Sequence, residues 1–228
     1  MKMELTVATY NILHGEMTDM KYEILAKDIL DSDASIVGIQ EVDLNTLRNY
    51  NQDTLALLSK HTGWDYYAYA PTLTNFLGGQ YGIAVLSKYP ILSARHEGLP
   101  AVTESEEPRT VLHTVIDVNG YALDFFATHN DGGSIVEQLA AIQKQTSLCK
   151  SYVLVGDFNC EDYERFRVFS DATPVNNASN PLPTTMGDAS SIDNILYSSN
   201  IKCLGCHTID TKHTDHYMLV ADLVLPEK

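Results

Sequence analysis

The chain is short of basic residues. Among its 228 residues, Lys and Arg number 15 against 30 Asp and Glu, so the formal net charge is -15. A protein that grips long nucleic acid over a broad basic face gains most of its affinity by neutralising phosphates, so this balance disfavours that class. The charge does not exclude a compact anionic substrate that is held through a metal ion.

Cysteines and long hydrophobic runs are also scarce. The four cysteines are irregularly spaced and do not make the disulfide framework of a small secreted protein. No apolar run approaches the ~18 residues that suggest a membrane span, and the first residues show no signal-peptide pattern. Because no signal-peptide pattern is found, we expect a cytoplasmic protein. Since no linker or repeat divides the sequence, we expect one domain over residues 1–228.

The apolar residues that are present predict alternating strands and helices. Strands are predicted at residues 5–12, 35–40, 64–70, 82–87, 109–118, 121–128, 152–156, 192–197, 201–208 and 218–225. Helices are predicted at residues 21–30, 52–62, 134–149 and 161–168, the third with a capping box formed by Ser134 and Glu137. Asn119-Gly120 is a strong hairpin signal. Hairpins beside helical crossovers indicate an α/β (α+β type) fold of layered sheets covered by helices.

Polar side chains fall where these strands begin or end, and loops at such places often gather functional groups. The residues are Asn11, Glu41, His129, Asp157, Asn159, Asp193, Asp215 and His216. Carboxylates and amides suit Mg²⁺ or Mn²⁺, whereas the sequence has no His-Glu-x-x-His pattern that would indicate zinc. Taken singly, each residue also fits a turn former, a helix cap or an ordinary histidine.

Eight short motifs tie these residues together, each next to a predicted strand. They are Thr9-Tyr10-Asn11-Ile12, Ile39-Gln40-Glu41-Val42, Tyr81-Gly82-Ile83-Ala84-Val85-Leu86-Ser87, Pro108-Arg109-Thr110, Ala127-Thr128-His129-Asn130, Val155-Gly156-Asp157-Phe158-Asn159, Ser191-Ile192-Asp193-Asn194-Ile195 and Thr214-Asp215-His216-Tyr217. In these motifs and their order, the chain resembles the endonuclease/exonuclease/phosphatase superfamily, which has the DNase-I-like fold. The resemblance implies a four-layer α/β sandwich in which two packed mixed β-sheets are flanked by helices.

The resemblance also implies a metal site. Members cleave phosphate esters with a divalent cation, usually Mg²⁺, with Mn²⁺ as a possible substitute. By this resemblance Glu41 is the principal metal ligand, and Asn11 and Asp215 lie near the metal. Such a metal activates the ester as a Lewis acid and neutralises charge.

Catalytic roles follow from the same resemblance. Asp157 and Asn159 are expected to orient the attacking water and a phosphate oxygen. His216 is expected to act as acid/base or phosphate contact with Asp193 as its orienting carboxylate, and His129 as a phosphate contact. Whether His216 or Asp157 takes the proton from water stays open at this point.

Two of the five arginines are candidates for substrate binding, because a guanidinium suits a phosphate oxygen pair. Arg109 lies in one of the motifs, and Arg48 follows the second predicted strand. The alternative for Arg109 is an ion pair with a neighbouring carboxylate such as Glu107. Tyr81 fits a core residue better than a stacking surface.

The resulting prediction is a Mg²⁺-dependent phosphoesterase that hydrolyses a phosphodiester or phosphomonoester by direct attack of water. The alternatives are an endonuclease or exonuclease acting on DNA or RNA, a sphingomyelinase-like lipid phosphodiesterase, and a non-catalytic binding protein on the same scaffold. The partner is a phosphate-ester substrate. We expect His216→Ala and Glu41→Ala each to abolish activity with little loss of thermal stability.

Overall fold

A computed structural model describes residues 3–103 and 106–227, so the ends of the predicted domain 1–228 and residues 104–105 lie outside the described residues. The strands of the described part are β1 (Met3–Asn11), β2 (Ile36–Leu44), β3 (Tyr66–Phe76), β4 (Gly79–Ser87), β5 (Ile91–Gly98), β6 (Thr110–Val118), β7 (Tyr121–His129), β8 (Tyr152–Asp157), β9 (Ala172–Pro174), β10 (Asp193–Ser198), β11 (Lys202–Ile209) and β12 (Met218–Leu225). The α-helices are α1 (Tyr22–Asp31), α2 (Thr54–Thr62) and α3 (Ile135–Thr146), and two 3-10 segments cover Leu13–Thr18 and Tyr163–Val168.

The strands form two mixed six-stranded sheets. Their orders are β11-β12-β1-β2-β4-β3 and β5-β6-β7-β8-β10-β9. Each sheet has one parallel pair at its centre, β1 with β2 and β7 with β8, and the other pairs are antiparallel. Parallel strands end at the same edge of a sheet, so Asn11 lies beside Gln40 and His129 lies beside Asp157.

Apolar side chains fill three layers of core. The cluster between the two sheets includes Val7, Ile36, Val85, Phe125, Val155 and Leu223. A second cluster packs α1 and α2 on the first sheet, and a third packs α3 on the second sheet. Each fully buried aliphatic side chain contributes about 1.5–3 kcal/mol relative to an exposed one. The order helix, sheet, sheet, helix confirms the predicted four-layer sandwich.

The sheets come very close where β2 faces β8. A Cβ atom built on Gly38 would lie 2.2 Å from Cγ2 of Val155. A glycine is therefore required here for close approach. Gly38 and Val155 each stand only a few residues before the polar ends of their strands, so this contact sets the distance between the two halves of the site.

Local predictions are confirmed at one turn and wrong at one helix start. Asn119 and Gly120 both have positive φ, 51° and 83°, as a type I′ hairpin requires. Ser134 is the N-cap of α3 but makes no capping hydrogen bond. Its hydroxyl instead accepts from the backbone N–H of Val102 at 2.7 Å and donates to Glu106. The predicted capping box is wrong because this tertiary contact competes with the helix end.

Candidate active site

Polar side chains from both sheets meet at the strand ends. Asn11, the last residue of β1, donates through Nδ2 to Glu41 Oε1 at 3.0 Å and to Asp157 Oδ2 at 3.2 Å. Its own Oδ1 accepts from the backbone N–H of Leu13 at 3.1 Å, which fixes the amide orientation. Asn11 therefore joins a carboxylate of the first sheet to a carboxylate of the second.

Glu41 stands on an irregularity of β2. The pairing of β2 with β4 shifts register between Ile39 and Val42, and Glu41 has φ of 58°. A non-glycine residue in this region is strained, and such strain is found where a side chain is held for a purpose. Burial would raise the pKa of Glu41, but His14, His129 and Asn11 outweigh it and lower the value to about 2. The group is therefore a carboxylate at neutral pH.

His216 is held between two buried carboxylates. Its Nδ1 lies 2.8 Å from Asp193 Oδ2 and its Nε2 lies 3.7 Å from Asp157 Oδ2. Burial would lower the pKa of His216, but the hydrogen bond to Asp193 and the charges of Asp193, Asp157 and Asp215 raise it to about 10. The imidazole is therefore a cation at neutral pH, with its orientation set by Asp193.

Asp157 is the centre of the second sheet's contribution. The backbone N–H of Asn159 donates to its Oδ1 at 2.9 Å, and His129 Nε2 lies 3.5 Å from its Oδ2. Burial raises the pKa of Asp157, and the neighbouring charge of Asp193 raises it further. Burial lowers the pKa of His129, whereas the carboxylates around His216 raise the pKa of that imidazole.

These groups open onto a cavity of about 380 Å³. Its lining residues are Glu41, Arg48, Phe76, Tyr81, Glu107, Arg109, His129, Asp157, Asn159 and His216. Arg109 pairs with Glu107 at 3.0 Å, as the alternative for this residue predicted, yet its buried Nε has no hydrogen-bond partner among the described residues. The cavity wall thus combines the ionised Glu41 with the cationic His216, and the Nε of Arg109 is a buried donor without a partner among the described residues.

Asp215 stands apart from the other predicted site residues. It is exposed, and it does not line the cavity. Its carboxylate accepts from the hydroxyl of Thr214 at 3.3 Å. The hydroxyl of Thr214 lies 3.0 Å from the backbone carbonyl of Asn11, so this loop is tied to the end of β1.

Several residues at the site escaped the sequence reasoning. His14 lies with Nδ1 3.9 Å from Glu41 Oε2, three positions after Asn11. Asp43 is fully buried and binds Arg48, and Phe76 lines the cavity from the end of β3, beyond the strand predicted at residues 64–70. Tyr81 is buried, as predicted for a core residue, and also lines the cavity. His14 and Asp43 lie close to the motifs in the sequence, which could have indicated them, whereas no sequence signal indicates Phe76.

Two groups of side chains at this cavity contain atoms of the kind that bind a metal ion. Ligand atoms of Asp157, Asp193 and His216 all lie within 4.8 Å of one another. However, His216 is a cation whose Nδ1 already faces Asp193, so it has no free lone pair for a metal. Glu41 and Asp157 instead place two carboxylates within hydrogen-bond distance of the same Asn11 Nδ2, at 3.0 and 3.2 Å, and carboxylate oxygens are ligands that Mg²⁺ prefers.

The family model described as Endonuclease/Exonuclease/phosphatase family matches residues 8–216, which is most of the chain. The chain belongs to this family. The matched segment runs from β1 to His216 and so contains both sheets' contributions to the cavity. No curated protein matches the chain.

Solved structures share the fold at low sequence identity. An endonuclease/exonuclease/phosphatase from Beutenbergia cavernae is 19% identical with a TM-score of 0.84, covering 98% of this chain and 72% of that one. A mannosyl-6-phosphatase from Bacteroides thetaiotaomicron is 18% identical with a TM-score of 0.72, covering 97% and 100%. The human Nocturnin catalytic domain with bound sulfate anion is 19% identical with a TM-score of 0.73, covering 96% and 93%. Within the described residues, no helix combines the length and apolarity that a membrane crossing needs.

Proposed function

We propose that the protein is a Mg²⁺-dependent phosphoesterase that hydrolyses a phosphodiester or phosphomonoester by direct attack of water. One observation carries the proposal. A single cavity of about 380 Å³ is lined by the ionised Glu41 and by His216, which is paired with the buried Asp193 behind it. The related folds include a mannosyl-6-phosphatase and a domain that binds a sulfate anion, and both descriptions fit a site for tetrahedral anions.

Glu41 is the residue that would hold the metal, and Asn11 would position its carboxylate through the hydrogen bond at 3.0 Å. Glu41 is ionised at neutral pH, and the Asn11 amide brings it towards Asp157. A bound Mg²⁺ would supply Lewis-acid polarisation of the phosphate and neutralise charge. Asp215, the third predicted ligand, is exposed outside the cavity wall, so we assign it to the electrostatics of His216 instead.

The remaining groups divide the work of phosphoryl transfer, which depends on charge stabilisation and in-line placement of water. The His216 cation faces the cavity and stabilises negative charge on the phosphate oxygens. Asp157, whose pKa is raised by burial, accepts the proton of the attacking water, with Asn159 orienting that water. Arg109 lines the same cavity and offers its guanidinium to a phosphate oxygen.

The other predicted functions fit this cavity less well. A cavity of about 380 Å³ is at the small end of ligand pockets and suits a compact ester. A nuclease for DNA or RNA needs a basic face that a chain of net charge -15 does not favour. A non-catalytic binder would have no need for the strained Glu41 and the cationic His216.

The test is hydrolysis of bis-p-nitrophenyl phosphate and p-nitrophenyl phosphate by the full chain with Mg²⁺ or Mn²⁺, with and without EDTA. We expect metal-dependent turnover that EDTA removes, and losses of about 10³-fold or more in Glu41→Gln and His216→Ala. His207→Ala is the matched control, because His207 is exposed on β11. Turnover that survives EDTA, or wild-type rates in Glu41→Gln, would contradict the proposal.

A further inference from the structure

Arg48 is fixed in the cavity wall by a buried carboxylate. Its Nε lies 2.6 Å from Asp43 Oδ2 and its Nη2 lies 2.8 Å from Asp43 Oδ1, so the pair is bidentate. Asp43 is fully buried and also accepts from the hydroxyl of Thr46 at 2.7 Å. A guanidinium gripped along one edge in this way cannot swing freely towards a substrate. Its plane is a fixed part of the wall.

Two aromatic rings pack against this guanidinium. The Arg48 Cζ atom is 4.9 Å from the ring centroid of Phe76 and 5.3 Å from that of Tyr81. The two centroids are 5.9 Å apart, so the rings lie next to each other and support Arg48 together. Arg48 lines the cavity and its side chain is 30% exposed.

The charge of Arg48 is already balanced by Asp43. Arg109, in contrast, has a buried Nε without a partner among the described residues and lies in the same cavity as His129 and His216. The two arginines are thus built for different tasks. Arg109 is suited to binding an anion, whereas Arg48 presents a rigid guanidinium plane.

We propose that Arg48, backed by Phe76 and Tyr81, is a specificity-determining subsite that stacks a flat aromatic ring carried by the phosphate ester. Planar guanidinium groups stack on flat rings, and heterocyclic bases use Arg planes and aromatic side chains in this way. The inference rests on the proposed function, since it names the class of ester that the same cavity accepts. A sugar or an acyl chain offers no flat face to this plane.

The test is calorimetric titration of the full chain with adenosine 5′-monophosphate and ribose 5-phosphate in EDTA, so that neither phosphomonoester is hydrolysed during the titration. The two probes share the sugar and the phosphate, and only the first has a flat ring. We expect adenosine 5′-monophosphate to bind at least about tenfold more tightly, the effect of one stacked ring. Arg48→Lys keeps the charge and loses the plane, and we expect it to reduce this ratio to near one. Phe76→Leu, which removes the backing ring, is expected to reduce the ratio as well.

Arg167→Lys is the matched control, because Arg167 forms an exposed ion pair with Glu164 at 2.8 Å and should leave the ratio unchanged. Equal affinity for the two probes, no binding of adenosine 5′-monophosphate at millimolar concentration, or an unchanged ratio in both Arg48→Lys and Phe76→Leu would overturn the subsite. If bis-p-nitrophenyl phosphate is hydrolysed but the two probes bind equally well, the subsite is wrong and the proposed hydrolase stands. Ring selectivity without any turnover supports the subsite as a ligand site and defeats the proposed hydrolase.

Discussion

At the scale of single residues, His216 is both a site residue and a structural counter-charge. It faces Asp193 at 2.8 Å and Asp157 at 3.7 Å, and both carboxylates are buried. Removing one partner of a buried charged cluster leaves uncompensated charge and costs about 3–5 kcal/mol. We therefore revise the sequence-based expectation for His216→Ala, which we now expect to lose stability as well as activity. We expect Glu41→Ala to lose stability as well, because it removes the acceptor of the buried Asn11 amide and a carboxylate whose pKa is lowered to about 2 in the folded state.

The pH dependence of stability follows from the same pair. The pKa of His216 is raised from 6.5 to about 10 in the folded state. A raised pKa means that the folded state binds the proton more tightly, so the stabilisation is complete below about pH 6.5 and is lost as pH rises through 10. In EDTA, we expect the difference in unfolding free energy between wild type and His216→Gln to shrink steadily between pH 6.5 and 10. Urea titrations at several pH values measure it, and a constant difference across that range would contradict the assigned pairing.

Residues differ in how far the sequence could reveal them. Most polar residues of the eight motifs could be placed in one site, because each directly follows or precedes a recognisable strand, and the exception is the exposed Asp215. Arg48 and Phe76 could not be joined in advance, since their contact depends on how the β3–β4 hairpin folds beside the loop after β2. The ion pair of Arg48 with Asp43 could not be predicted either, because it depends on the burial of Asp43, which no local sequence pattern indicates.

At the scale of elements, the buried strands were predictable, whereas two of the edge strands, β5 and β9, were not. Most predicted strands and helices occur within a few residues of their expected bounds, because apolar periodicity reports on a buried face. The strand β5 was missed because nearly all of its residues are exposed at a sheet edge, and β9 has only three residues. The β2 strand continues past Gln40 through the irregularity that positions Glu41, which a strand pattern cannot foresee.

The contact between β2 and β8 gives a test of how the sheets position the site. In Gly38→Ala the new methyl would clash with Val155, and overpacking of this kind costs about 1–3 kcal/mol. Val155→Ala alone leaves a cavity and also destabilises. We expect the double variant to be less destabilised than the sum of the two single variants, with partial recovery of activity relative to Gly38→Ala. Gly98→Ala is the control, since a Cβ there has no atom within 4 Å. Additive losses would show that the two sheets are not in contact at this point.

At the scale of the whole molecule, an acidic protein carries a site for an anion. The net charge of -15 repels phosphate esters at long range, so binding must come from the groups in the cavity and a bound cation. Arg109 and His216 supply local positive charge, whereas Asp43 balances Arg48, and Glu41 and Glu107 offset part of the rest. Such a balance selects for a small ester that reaches the cavity, not for a long polyanion spread over the surface.

Salt separates these two classes of substrate. Added salt screens the long-range repulsion, because the Debye length falls from about 30 Å at 0.01 M to about 10 Å at 0.1 M. We therefore expect kcat/KM for bis-p-nitrophenyl phosphate to rise by roughly twofold between 20 and 200 mM NaCl at fixed Mg²⁺, since like charges approach more readily when they are screened. A nuclease that neutralises phosphates with a basic face shows the reverse, a steep loss of binding as salt rises. The measurement is the rate of hydrolysis of bis-p-nitrophenyl phosphate and of single-stranded DNA over this range of NaCl. A rate on DNA that exceeds the rate on the small ester and falls steeply with salt would favour the nuclease. With 15 basic residues against 30 acidic ones, the chain is not expected to show that steep fall.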